Sequence, residues 1–384
     1  MGMRPVYLDH NATTPVDPEV FGAMLPFLRT EFGNPSSAHA LGRRAHGAVE
    51  RARGEVAAAI GADADEIVFT SGGTEASNIA IRGAAKAERR RRKIVTSAIE
   101  HPATEACCAL LAGEGMEILR VPPEKNGRLD PARFARAVDE TTALVTIIHA
   151  QNEIGTIQPV AEIAAIARKQ GARVHADAAQ SLGKIALNVR ALGVDFLSIA
   201  GHKLYAPKGV GALYLRRGAE LPPLLVGAGQ EAGRRPGTEN VAFIVALGAA
   251  CRITAAKVRE ERERLAALAG QLFAALKLKV PGIVLVGEGA ERLPNTLNVL
   301  FPQVSGRRLL ERCTRVLAST GSACHADRED PSAILTALGI PADAALGAVR
   351  LSLGRGNMRE DVEAAAADLA AAWRALAANA TASV

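Results

Sequence analysis

The chain has 384 residues, 48% of them hydrophobic, with 46 lysines and arginines against 40 aspartates and glutamates. At about 150 residues per domain, this predicts two or three structural units with ample material for a buried core. A net charge of +6 with only 3% aromatic residues excludes a disordered polyelectrolyte, and it disfavours nucleic-acid binding, which uses basic patches interleaved with stacking rings. No apolar run approaches the ~18 residues of a membrane helix. The start, Met1-Gly-Met-Arg-Pro-Val6, has neither a signal-like apolar stretch nor a myristoylation pattern, so neither membrane contact nor a cleaved signal is expected. The five cysteines, Cys107, Cys108, Cys251, Cys313 and Cys324, form no C-x-x-C pair, which argues against structural zinc or a disulfide framework and fits a reducing cytoplasm.

From residue 66 onward short β-rich runs alternate with helical patterns: Glu66–Thr70, Lys93–Thr96, Ala143–Ile148, Ala172–Asp177, Val194–Ile199 and Gly211–Leu215. Near-continuous apolarity over five or six residues suits strands buried on both faces, and the intervals are long enough for crossover helices. The pattern is α/β around a mostly parallel central sheet. After Gly237 the rhythm becomes one long helix, with Val258, Leu265, Leu268, Leu272 and Leu276 recurring at helical spacing. A second block follows, with a strand from Asn295 to Phe301, a helix from Gly306 to Cys313, a small-residue loop and a strand from Ala348 to Leu353. The last helix carries Val362, Ala366, Leu369, Trp373 and Leu376 on one face. The expected division is a large domain over 17–250 and a smaller α/β domain from 1–16 and 251–384, which carries a cysteine-bearing loop at about 317–331.

In open α/β sheets ligands bind beyond the carboxyl ends of the strands. Five such ends carry polar groups: Ser71-Gly-Gly-Thr-Glu75, Glu100-His101, Gln151-Asn152-Glu153, Asp177 with Gln180, and His202-Lys203. The glycine-rich turn offers free backbone N–H groups at a helix start, as a phosphate requires. Asp177 ends an apolar strand, where its carboxylate needs a cationic partner such as a protonated ring nitrogen. Lys203 follows another apolar strand, where desolvation makes an amine nucleophilic. Phosphate cup, pyridinium partner and Schiff-base lysine together are the requirements of pyridoxal phosphate. His101 suits ring stacking or proton transfer. Cys324 lies among small and charged residues rather than in a packing pattern, and is the candidate reactive thiol.

At these positions the sequence resembles the cysteine desulfurases, pyridoxal-phosphate enzymes related to class V aminotransferases. The matching stretches run in family order: Tyr7–Thr14, Phe69–Glu75, Glu100–Pro102, Asn152–Gly155, Asp177–Gln180, Gly201–Lys203 with Ala206–Gly209, Arg235–Asn240, Gly321–Cys324 and Arg350–Leu353. The resemblance implies a homodimer of fold type I. Lys203 would be the Schiff-base lysine, Asp177 the partner of the pyridine nitrogen and His101 the stacking acid/base. Asn152 and Gln180 would contact the hydroxyl side of the ring, with Asn152 also reaching substrate. Gly73, Thr74 and His202 would hold the phosphate, Thr238 would reach the phosphate of the other subunit, Arg350 would bind the substrate carboxylate, and Cys324 would take up sulfur. The implied reaction converts L-cysteine to L-alanine through a persulfide that serves an acceptor, such as iron–sulfur cluster assembly. Two features are reminiscent of selenocysteine lyases: Ala200 in place of a hydroxyl residue before Gly201, and His325. The spacing from Cys324 to Pro331-Ser332 instead suits desulfurases with a long cysteine loop. An ordinary aminotransferase would share the cofactor apparatus without a use for Cys324, and the alternative from another class is a non-catalytic sulfur-carrier scaffold.

Overall fold

A computed structural model describes residues 4–88, 90–320 and 330–381. Among the described residues twelve strands run in chain order: β1 (Val6–Tyr7), β2 (Ile67–Thr70), β3 (Lys93–Ser97), β4 (Glu117–Val121), β5 (Thr142–Ile148), β6 (Arg173–Asp177), β7 (Phe196–Ala200), β8 (Gly211–Leu215), β9 (Val284–Leu285), β10 (Thr296–Leu300), β11 (Val316–Leu317) and β12 (Ala348–Ser352). The large sheet has the order β2-β8-β7-β6-β5-β3-β4, and β3 to β7 are mutually parallel.

Neighbouring residues on these strands point to opposite faces, and both faces are covered. Val95, Val145 and Leu197 join one core with the helices Ala40–Ile60 and Val160–Lys169, while Ile94, Leu144 and Phe196 join another with the helices Gly73–Ala87 and Pro102–Gly113. Burial on both sides is why the runs read as continuously apolar rather than alternating. Two features depart from the expected pattern. β4, with the sequence Glu-Ile-Leu-Arg-Val, is an edge strand whose charged, partly exposed residues mask it as a strand in the sequence. β8 is antiparallel to both β2 and β7, because the ten residues between β7 and β8 are too few for a parallel crossover.

A smaller antiparallel sheet, β12-β10-β9, and the parallel pair β1–β11 pack against the helix Arg359–Thr381. Val6 and Leu8 of the amino-terminal segment belong to this cluster, as do Val362, Ala366 and Leu369. The indole Nε1 of Trp373 donates to the Pro302 carbonyl at 3.0 Å, so this amphipathic residue is half-buried with its polar end satisfied.

The helix Val241–Lys279 has 39 residues, about 58 Å at 1.5 Å per residue. Val241 to Ile253 pack in the large-sheet core and Leu265 to Leu276 in the smaller one, so one unbroken helix serves both. It is long and apolar enough to cross a membrane, but 61% of its most apolar stretch is buried inside the protein. It crosses residues 250 and 251 without interruption, and Ile334, Leu335 and Leu338 pack in the large-sheet core although they lie within the second block. Leu272 is fully buried, so Leu272→Ala should cost about 2–5 kcal/mol. Urea unfolding measures this, and a loss under about 1 kcal/mol would mean that the second half of the helix is not core.

Candidate active site

The carboxyl ends of β2, β3, β5, β6 and β7 open on one side of the large sheet, and the amino-terminal segment 9–14 crosses them. After β2 the chain turns through Ser71 and Gly72 into the helix Gly73–Ala87, whose amino terminus has no side-chain cap. Gly73 and Thr74 thus begin a helix of 15 residues with uncapped N–H groups, a dipole end suited to an anion. A Cβ on Gly73 would stand 3.3 Å from the Cβ of Ala200 at the end of β7, so these two strand ends touch through their smallest side chains.

Past β3, His101 precedes Pro102 and caps the helix Pro102–Gly113, its Nδ1 accepting from the Ala103 N–H at 3.1 Å. An accepting Nδ1 places the ring proton on Nε2. Burial lowers the His101 pKa, opposed by Asp177 and reinforced by Lys203, so the ring is neutral at pH 7. The preceding Glu100 accepts from the Ser97 hydroxyl and, at 3.0 Å, from the Ile148 N–H, which joins the ends of β3 and β5. Burial pushes its carboxyl up to about 8. Asp177 ends β6 almost fully buried, one carboxylate oxygen accepting from the Ala179 N–H at 2.9 Å.

Lys203 follows β7 in a turn closed by Tyr205, a non-glycine residue at φ 68°. The Tyr205 N–H donates to the Thr14 hydroxyl at 2.9 Å, and its own hydroxyl accepts from the Arg355 N–H at 2.7 Å, contacts that hold the strained turn. Lys203 Nζ donates to the carbonyls of Asn11 and, at 2.8 Å, Ala12. Burial and the Arg350 charge bring its amine down to about 8, against the pull of Asp177 and Asp9. His202, beside it, meets the Thr13 hydroxyl at 3.2 Å and is pushed down to about 4, chiefly by burial.

Arg350 enters from β12 of the smaller sheet and is 5% exposed. It pairs with Asp9 at 2.7 Å and donates to the Asn152 carbonyl at 3.2 Å, while its buried Nε has no partner. The Asn152 side chain accepts from Gln151 at 3.3 Å. Gln180 donates through Nε2 to the Asn11 carbonyl at 2.9 Å. Asn11 itself, which residue-type reasoning did not single out, is buried and bonds to seven partners: Ser352, Asn152, Thr296, Gln180, Lys184, Asn295 and Lys203. The only signal for it in the sequence is a polar residue inside the Tyr7–Thr14 stretch.

Thr238 stands apart from this group, exposed on the segment before the helix Val241–Lys279. That segment is tied to the uncapped helix from the other side, Arg235 pairing with Glu75 at 2.9 Å. Just upstream, Glu231, Ala232 and Gly233 take consecutive positive φ values of 49°, 55° and 78°. The strain is opposed by a nearly dry bidentate pair of Glu231 with Arg53 at 2.8 Å and by the Phe69 N–H donating to Glu231 at 2.8 Å.

Cys324 and His325 lie outside the described residues. Both described flanks of that segment are fixed beside the site: the Arg350 N–H donates to the Ser319 carbonyl at 2.7 Å, and the Ser332 hydroxyl donates to Glu153 at 2.6 Å. The other four cysteines are buried or half-buried, and burial raises each thiol, to about 12 for Cys108 and Cys313. None of these four is poised as a thiolate. Among the described residues no group of three His, Cys, Asp or Glu could hold a metal ion.

The family model for aminotransferase class V matches residues 6–365. The chain belongs to the class V aminotransferase family. It is 44% identical to the cysteine desulfurase IscS of Dictyoglomus turgidum over 94% of this chain and 92% of that one. It is 43% identical to the cysteine desulfurase NifS of Azotobacter vinelandii over 94% of this chain and 90% of that one. Among solved structures, a NifS-like protein superposes with a TM-score of 0.90 at 36% identity, covering 97% of this chain and 99% of the other. A structure described as SspA in complex with cysteine gives 0.80 at 35% identity, covering 90% and 98%.

The residues present fit the cofactor of this family. An uncapped helix start leaves N–H groups free for a phosphate, a buried carboxylate is available for a ring nitrogen, and the lysine amine is shifted toward its uncharged form. In cofactor-free protein, Lys203 should react with trinitrobenzene sulfonate with a midpoint near pH 8 rather than the ordinary 10.5, as read by peptide mapping against pH. A midpoint at the ordinary value would show that the amine is solvated.

Proposed function

We propose that this chain is a pyridoxal 5'-phosphate-dependent cysteine desulfurase that converts L-cysteine to L-alanine and passes the sulfur, by way of Cys324, to an acceptor such as an iron–sulfur scaffold protein. The observation that carries the reading is the convergence on one amine. Lys203 Nζ feels the charges of both Asp177 and Arg350, and the flanks of the cysteine segment are tied to Arg350 and Glu153. The named relatives support the same activity.

Bound there, pyridoxal phosphate supplies an electrophilic carbon and an electron-accepting ring. The protein's own groups do the rest. The uncapped helix at Gly73 and Thr74, with His202, would hold the phosphate. Asp177 would keep a proton on the ring nitrogen, as a buried carboxylate favours a cationic neighbour. Asn152 and Gln180 would contact the hydroxyl side of the ring, and His101, a neutral imidazole with a proton on Nε2, would serve as the acid/base beside it. Arg350 binds the substrate carboxylate, and its unpartnered Nε is free to donate to it while Asp9 shares the guanidinium. Lys203, whose amine is brought down to about 8 and so gives up its own proton more readily than an ordinary lysine, takes the proton from the substrate α-carbon and returns it. The Cys324 thiolate attacks the substrate sulfur: the carbon–sulfur bond breaks, a sulfur–sulfur bond forms, and the electron pair left on carbon takes up a proton to give alanine.

The working form is a homodimer in this reading. The segment leading to Thr238 exposes Leu225 and Val226, the latter at 92%, and the helix Pro18–Arg29 exposes Phe21 and Leu28 with Phe32 beyond its end, apolar surface that a second subunit would cover. Thr238 would then meet the phosphate of the other subunit. The free cysteines fit a reducing compartment such as the cytoplasm.

Purified protein given pyridoxal phosphate and cysteine should release alanine and, with a thiol reductant, sulfide in equal amounts. Formation of a keto acid instead would make it an aminotransferase, and a preference for selenocysteine with selenide release would make it a lyase, the outcome that Ala200 favours. Cys324→Ala should melt at an unchanged temperature, stay yellow and lose cysteine desulfuration by roughly 100-fold or more, since the sulfur then has no nucleophile to receive it. Its selenocysteine activity should persist, because a selenol is ionised at neutral pH and leaves with less help. Full cysteine activity in Cys324→Ala would remove the persulfide from the mechanism.

A further inference from the structure

Beside the site lies a buried lysine that the chemistry above does not use. Lys184, seven residues past β6, is 7% exposed. Its Nζ donates to the Asn11 side-chain oxygen at 2.7 Å and to Oε1 of Gln180. Among the described residues no carboxylate pairs with it; the charged groups facing it are Lys203 and Arg350, with His10 nearby. Burial and those two cations push its amine well below the ordinary lysine value. Both of the oxygens within reach of the amine accept from it.

A glutamine amide has one donor end and one acceptor end, and its partners decide which end faces a site. In Gln180 the acceptor end is turned to Lys184. The donor end is turned to the Asn11 carbonyl, the same oxygen that receives Lys203 Nζ. We propose that Lys184 is a positioning residue for cofactor binding: by holding the Gln180 oxygen, it leaves only the amide donor to face the Lys203 side of the site. The ring oxygen of pyridoxal phosphate is anionic and needs a donor, so an amide rotated by half a turn would oppose it with a lone pair. The inference rests on the reading of Lys203 and Gln180 as cofactor residues.

The test titrates cofactor-free protein with pyridoxal phosphate and follows the visible absorbance. Lys184→Met removes the donor without adding charge. It should raise the cofactor Kd about tenfold, the effect of losing one well-made hydrogen bond in a dry site, and should shift the absorbance maximum, which packing loss alone does not move. An unchanged Kd and maximum in folded Lys184→Met would overturn the proposal. In a Gln180→Ala background the same substitution should weaken binding by less than about twofold, and an undiminished tenfold effect would mean that Lys184 does not act through Gln180. Lys184→Gln restores a donor and should bind within about threefold of the parent. A tenfold loss in folded Lys184→Gln would count against the proposal even if the methionine variant failed to fold. Lys203→Ala is the control that separates the two readings: if it still captured cofactor covalently, the assignment of Lys203 would fail, whatever Lys184 does.

Discussion

The Lys203 amine is held well below the ordinary lysine value on the inside of the protein, and the structure around it sets how far it falls. Desolvation alone would lower its pKa, and the adjacent Arg350 lowers it further, while Asp177 and Asp9 limit the fall to about 8. The balance depends on position, because each of these groups reaches the site from a different part of the chain. Asp177 ends β6, Arg350 lies on β12, Asp9 follows β1 and Lys203 follows β7. Asn11 holds them in register. Its two oxygens, its amide nitrogen and its backbone N–H are all satisfied by partners that lie up to 341 residues away in sequence. A buried polar side chain so fully bonded contributes specificity of arrangement, since any shift of one segment leaves a donor or acceptor unpaired in a dry environment.

The parallel sheet was legible because burial on both faces writes continuous apolar runs into β3, β5, β6 and β7. The same logic failed for β4, an edge strand whose charged residues reach solvent, and it could not give the direction of β8. Residues at strand ends were equally legible: Asp177, His101 and Lys203 follow apolar runs, and each comes to the same face. Asn11 and Lys184 were not. Neither lies at the end of a strand of the large sheet, and their importance comes from partners that only folding brings near. The Asp9–Arg350 pair is hidden for the same reason, as it links the first turn of the chain to its last strand.

Strain is concentrated at two turns near the site, the Lys203 turn with Tyr205 at positive φ and the segment at Glu231 and Ala232. Each is over-determined by tight polar contacts, Tyr205 by Thr14 and Arg355, Glu231 by Arg53 and the Phe69 N–H. Such residues cost of order 1–3 kcal/mol each and persist only where the surroundings leave no alternative. The first turn bears Lys203, and the second leads into the segment in which Arg235 pairs with Glu75.

The helix Val241–Lys279 has a mechanical consequence. Domains are ordinarily joined by linkers that bend at little cost, and their cores fluctuate separately. Here the core around the large sheet and the core around β10 and β12 are halves of one rigid rod, so a hinge between them would have to break helical hydrogen bonds or bend the rod. Lys203 belongs to one half and Arg350 to the other. The gap between the Lys203 amine and the Arg350 guanidinium is therefore set by the stiffness of a helix, and a molecule that bridged the two would have to adapt to that gap because the protein cannot readily widen it.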